Sequence, residues 1–165
     1  VRLRLARIVR QYGETEFGSF VTHEAQFRRL KALYEENRVT LIRGNLLGPT
    51  AVKAIGGVFE EFNKSPRVVY LSNAEQYFRY SPAFLENIEA LQLSSSTRVL
   101  RTLSQNYHGF AEEDTYHYNV QTGVSLLTYL REGRLPSVGR MLTEKQKTGV
   151  TGLSTLGDMD LETAR

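Results

Sequence analysis

Three β-rich runs in this chain of 165 residues start at nearly equal intervals. They occupy residues 39–42, 68–71 and 97–103, so successive starts lie 29 and about 30 residues apart. A strand–helix–strand unit with parallel strands takes roughly 30 residues. Each interval also holds an apolar stripe with helical spacing. Antiparallel strands would allow tight hairpins, and no hairpin signal separates the runs. The spacing therefore predicts a β-α-β-α-β core with right-handed crossovers. That is an α/β chain, a Rossmann-like three-layer sandwich on a partial, doubly wound, mostly parallel sheet, with further helices flanking it.

The helices carry their own start and stop signals. Thr22 N-caps a helix to about Asn37, with Phe27, Leu30, Leu33 and Tyr34 as its apolar stripe. Pro49 and Thr50 open a helix to about Phe62 that buries Val52, Ile55, Phe59 and Phe62. Gly56 and Gly57 fall inside it. A mid-helix glycine costs about 1 kcal/mol against alanine, so the pair reads as a backbone packed closely on the sheet or as a tolerated weak spot. Ser81 and Pro82 set an N-cap and an N1 proline ahead of Phe84, Leu85, Ile88 and Leu91. A long helix carrying Val120, Val124, Leu127 and Leu130 stops at Gly133. Near the start, Leu5, Ile8, Val9 and Tyr12 mark one more helix, ended by Gly13. Residues 143–165 read as a polar tail with little to bury, outside a folded domain over residues 1–142.

Composition narrows the function. Cysteine is absent, which excludes a disulfide framework, a thiolate nucleophile and a Cys-ligated zinc or iron–sulfur cluster. That fits a cytoplasmic setting. No apolar run approaches the length that crosses a bilayer and no secretory leader is read, so a membrane partner is not expected. Lys plus Arg is 21 and Asp plus Glu is 18, a formal charge of +3 that does not call for nucleic acid. Arg2, Arg4, Arg7, Arg10, Arg28 and Arg29 read as solvated helix faces ahead of phosphate contacts. The first residue is Val1, which reads as a processed start or a piece of something longer.

Open parallel sheets bind ligands beyond the carboxyl ends of their strands. Three loops qualify: residues 44–50, 72–77 and 104–108. The first has two glycines but neither the Lys-Ser/Thr pair of a P-loop nor a dinucleotide fingerprint, and Gly48, Pro49 and Thr50 fit a simple turn before a helix. In the second, Ser72, Asn73, Glu75, Gln76 and Tyr77 follow a buried strand. An amide that both donates and accepts suits a flat polar substrate. A plain N-capped turn is the alternative. The third leads through His108 to Glu112, Glu113, Asp114 and His117, metal-ligand residue types whose spacing matches no compact motif, so no metal site is read there. No GxSxG elbow is present.

Several stretches carry a resemblance. They are residues 20–28, residues 44–56, residues 91–101 and 129–134, and above all residues 69–77, Val-Tyr-Leu-Ser-Asn-Ala-Glu-Gln-Tyr. The last is close to a family pattern FYLSNVEQYL. Over residues 20–140 the chain resembles the C-terminal half of an uncharacterised bacterial family of Rossmann-like proteins, regarded as S-adenosylmethionine-dependent methyltransferases. The resemblance implies S-adenosylmethionine as cofactor, approached by Gly44, Asn45 and Leu46. It implies Ser72, Asn73, Gln76 and Tyr77 beside a methyl acceptor, small or macromolecular, with Glu75 or His108 as the base. It also implies packing against an N-terminal half that supplies the rest of the cofactor site. Where relatives carry Gly-Asp after the first strand, this chain has Gly44-Asn45. That departure supports an alternative, a non-catalytic Rossmann-like module for ligand binding or interaction.

Overall fold

Of the two intervals, the second is a strand–helix–strand unit and the first is not. A computed structural model of the chain describes residues 6, 9–10, 18–104, 108–111, 114–133, 136–157 and 159. The chain divides into two compact units, residues 1–42 and 43–165.

In the first unit, α1 spans Glu24–Glu35. His23, in extended backbone, takes the N-cap position without a side-chain cap. Thr22, the expected cap, acts earlier, accepting from Ser19 N at 2.8 Å. Glu24 pairs with Arg28 at 2.6 Å. Lys31 pairs with Glu35 at the same i,i+4 spacing, which supports exposed helices. α1 buries none of its residues, and Phe27 and Tyr34 stay more than half exposed. Asn37 follows in left-handed backbone at φ 56°.

The β-rich run at residues 39–42 forms no strand. Leu41 and Ile42 are 86% and 54% exposed. β propensity describes fit to a pleated, half-buried surface, and this run between Arg38 and Arg43 has neither a paired neighbour nor burial. The helix expected at the start falls mostly outside the described residues, as does its stop at Gly13; Ala6, Val9 and Arg10 are helical.

The second unit is mixed α/β. α2 (Ala51–Glu61) precedes β1 (Val68–Ser72), α3 (Pro82–Ala90) follows, and β2 (Arg98–Leu103) pairs with β1 in parallel. Ser81 Oγ accepts from Phe84 N at 3.3 Å and Pro82 opens the first turn, as the cap signals predict. Then come β3 (His117–Thr122), α4 (Gly123–Glu132), α5 (Val138–Met141), β4 (Gln146–Lys147) and β5 (Leu153–Leu156). The open sheet has the order β1-β2-β3-β5-β4. β2–β3 and β4–β5 are antiparallel, while β1–β2 and β3–β5 are parallel. The expected mostly parallel sheet therefore holds at one end only.

Three departures have clear physical causes. Val120 lies on β3, and the helix starts later, where Thr122 Oγ1 caps Ser125 N at 3.1 Å. Its stop is as expected, with Gly133 in left-handed backbone at φ 61°. The stretch read as a tail supplies β4 and β5, and Ser154, Thr155 and Leu156 are buried. Gly56 meets a helix, where a sheet was expected: a Cβ there would lie 2.1 Å from the Ala90 carbonyl oxygen. Gly57 has nothing within 4 Å.

One sheet face is buried, with Val99, Leu103 and Leu156 joining Phe84, Ile88, Leu126, Met141 and Leu142 in a single core. α4 packs on β2 and β3, and α3 packs between α2 and α4. On the opposite face Val68 and Tyr70 are more than half exposed, and Leu100 and Val120 partly so.

Candidate functional site

At its carboxyl end β1 breaks register between Tyr70 and Ser72, and Ser72 takes left-handed backbone at φ 53°. Such a conformation is uncommon outside glycine, asparagine and aspartate. The break turns the chain into a 3-10 helix over Ala74–Tyr77 and aims Glu75 under the sheet edge. Glu75 is 2% exposed.

There it meets Arg101 of β2, which is 0% exposed. Arg101 Nε donates to Glu75 Oε2 at 2.6 Å, and the Tyr80 hydroxyl donates to Oε1 at 2.8 Å. Burial, then the Glu75 charge, push the Tyr80 phenol well above its ordinary range, so it stays a donor. Arg101 Nη1 donates to Asn119 Oδ1 at 2.8 Å and to Gln121 Oε1 at 2.5 Å. Its Nη2 has no hydrogen-bond partner among the described residues.

The network continues across the sheet. Asn119 Nδ2 donates to Ser154 Oγ at 3.0 Å. His117 Nε2 lies 2.7 Å from that hydroxyl, and its Nδ1 lies 2.5 Å from the Gly109 carbonyl oxygen. A carbonyl only accepts, so Nδ1 carries the proton and Nε2 accepts from Ser154. Burial lowers the His117 pKa, against the Gly109 bond that raises it. His108 stacks obliquely beside it, ring centroids 5.6 Å apart. Burial first, then Lys145 and His117, push His108 down to about 4. Both rings are therefore neutral at pH 7.

The expected residues fall into two groups. Around the edge of β1 and β2, Gln76 Oε1 accepts from Ser104 Oγ at 3.2 Å, joining the second and third loops. Asn73 Nδ2 donates to the Tyr77 hydroxyl at 3.3 Å, and Tyr77 is 78% exposed. Ser72, Asn73, Glu75, Gln76, Tyr77 and His108 thus share one end of the sheet. Residues 105–107 and Glu112 and Glu113 lie outside the described residues. Asp114 is used locally, accepting from Thr115 N at 2.6 Å.

Gly44, Asn45 and Leu46 form a separate local structure. Asn45 Oδ1 accepts from Leu47 N at 2.9 Å, an Asx turn that accounts for the asparagine. A Cβ on Gly44 would lie 2.2 Å from that of Ala51, which accounts for the glycine. Asn87 of α3 fixes the loop by donating to the Leu46 and Gly48 carbonyl oxygens, each at 2.8 Å. Asn45 Oδ1 thus serves the turn itself. Among the described residues no cluster of three metal-ligating side chains occurs.

Arg101, Asn119, Gln121 and Ser154 are the members that sequence reasoning missed. The available signal was the alternation His117-x-Asn119-x-Gln121, a strand period of two written in polar residues. No curated protein matches the sequence. A family model described as a domain of unknown function, DUF7790, matches residues 1–157, and the chain belongs to that family.

Proposed function

We propose that this domain is a non-catalytic ligand-binding module, with its ligand contacts at the carboxyl edge of β1 and β2. The engagement of both Glu75 oxygens carries this reading. The carboxylate best placed for acid–base work acts as a strut under the turn, while Asn73, Gln76 and Tyr77 of the same turn offer amides and a phenol above it. Carboxyl edges of parallel strands are where α/β sheets take ligands. A ligand-observed NMR screen of neutral heteroaromatic and amide fragments tests the reading. Asn73→Ala and Tyr77→Ala should each weaken the best fragment about tenfold, the value of one good hydrogen bond, with Tm unchanged. Turnover of a bound fragment, or variants that bind like wild type, would overturn it.

A second reading is a Rossmann-like, class I S-adenosylmethionine-dependent methyltransferase. The parallel β1–α3–β2 unit and the Gln76–Ser104 bond that links its two strand-end loops favour it. With Glu75 engaged, this reading assigns the base to His108, whose pKa burial pushes down to about 4. Cofactor-holding groups then come from a partner half of the sheet. The outer edge of β1 suits that partner, since β1 pairs only with β2 among the described residues and Val68 and Tyr70 beside it are exposed. Calorimetry with S-adenosylmethionine decides it: saturable heat weakened by Asn73→Ala supports this reading, and no heat with either this chain or a longer one removes it.

A further inference from the structure

A chain of buried hydrogen bonds runs from the turn at residues 72–77 to the Gly109 carbonyl, and each link has a fixed sense. Arg101 only donates, so Asn119 turns its Oδ1 to Nη1 and its Nδ2 to Ser154 Oγ. The Ser154 hydroxyl, accepting from Asn119, donates to His117 Nε2. His117 Nδ1 donates to the Gly109 carbonyl oxygen. Donors therefore point one way, from the guanidinium to the carbonyl, and bonds so aligned polarise one another. Arg101, His117, Asn119 and Ser154 are each at most 3% exposed, so a mismatch along the chain is not relieved by bulk water.

Histidine is the side chain that gains a proton in mild acid. His108 faces His117 from the neighbouring loop, ring centroids 5.6 Å apart, and Lys145, just ahead of β4, acts on it by charge. Arg101 lies further along the chain, with Glu75 and Tyr80 beyond it. A proton on His117 Nε2 reverses its link. Ser154 Oγ then meets two donors, and its own proton loses its acceptor. Turning the Asn119 amide over gives that proton an acceptor again, but sets an NH2 group against Arg101 Nη1. The guanidinium that holds Glu75 then keeps one amide acceptor of its two, Gln121 Oε1.

We infer that protonation of His117 is relayed through Ser154 and Asn119 to Arg101 and loosens the turn at residues 72–77, so that ligand affinity there falls in mild acid. As a control on affinity this rests on the binding reading of that turn, whereas the relay itself is a property of the chain alone.

The test is a titration of the isotope-labelled full chain from about pH 7.5 to about pH 5, with circular dichroism checking that it stays folded. NMR follows the His117 ring, the Arg101 Nε–H signal and the amides of residues 73–77. The Arg101 and turn signals should move with the midpoint of the His117 ring, and any fragment bound at the turn should weaken at least about fivefold across it. Ser154→Ala should leave His117 titrating and still the turn amides, and His117→Gln should still them as well. His108→Phe should leave the response in place. The relay seen with no fragment bound supports the inference and counts against the binding reading alone. Turn amides that ignore the His117 midpoint, that follow it equally in Ser154→Ala, or that lose it in His108→Phe would each overturn the inference, as would a fragment affinity indifferent to that midpoint.

Discussion

Arg101 is a full positive charge at 0% exposure, held by one carboxylate and two amide oxygens. Removing one partner of such a pair strands the other in low dielectric, at a cost of about 3–5 kcal/mol. Arg101→Met should therefore lose that much in urea unfolding. Glu75→Leu with Arg101→Met should recover at least about 1 kcal/mol of it, since replacing both partners by apolar groups avoids the stranded charge. A single variant that costs under about 1 kcal/mol, or a double variant additive in the two losses, would mean that the pair is open to water.

At the level of elements, the two neighbouring glycines of α2 separate two physical roles. A side chain on Gly56 would collide with the Ala90 carbonyl oxygen, so Gly56→Val should destabilise by about 1–3 kcal/mol or more. Gly57 faces open space, and Gly57→Ala should stabilise by about 0.5–1 kcal/mol through helix propensity. Thermal melts of both variants check the contrast, and equal signs would refute it. The sequence could not assign these roles, because two adjacent glycines look alike until the crossing helix is placed. Legibility varied for similar reasons. The α3 caps and the β1–β2 interval were readable, since serine, proline and β-branched runs act locally. β3 was not, because its inward residues are His117, Asn119 and Gln121, and the apolar Val120 completes a false helical stripe with Val124 and Leu127. Residues 39–42 misled in the opposite way: their propensity was right, but a strand needs a neighbour. At the site, the polar turn was visible by composition, whereas its tie to Arg101 depends on a contact 26 residues away.

For the whole molecule, the buried histidines set a pH dependence. The folded-state pKa of His108 lies near 4 and that of His117 below its ordinary value, so the unfolded chain binds more protons in mild acid. Their contribution to stability is therefore full above about pH 6.5 and is lost as the pH falls toward 4. His108 can add a slope of up to about 1.4 kcal/mol per pH unit in that window, and His117 acts in the same direction. His108→Phe should flatten the acid limb of the stability profile measured by urea unfolding from pH 7 to 4. An unchanged limb would place the titration elsewhere. The row of polar residues across the sheet has one more consequence, for how the chain finds its pairing. By hydrophobicity alone, β3 would gain from sliding one position along β2, turning Tyr118 and Val120 inward. That slip would present Arg101 with aromatic and aliphatic side chains in place of Asn119 and Gln121, and leave its charge without those two acceptors. Alignment of this strand is thus keyed by a cation and its acceptors, like a lock whose pins are hydrogen bonds.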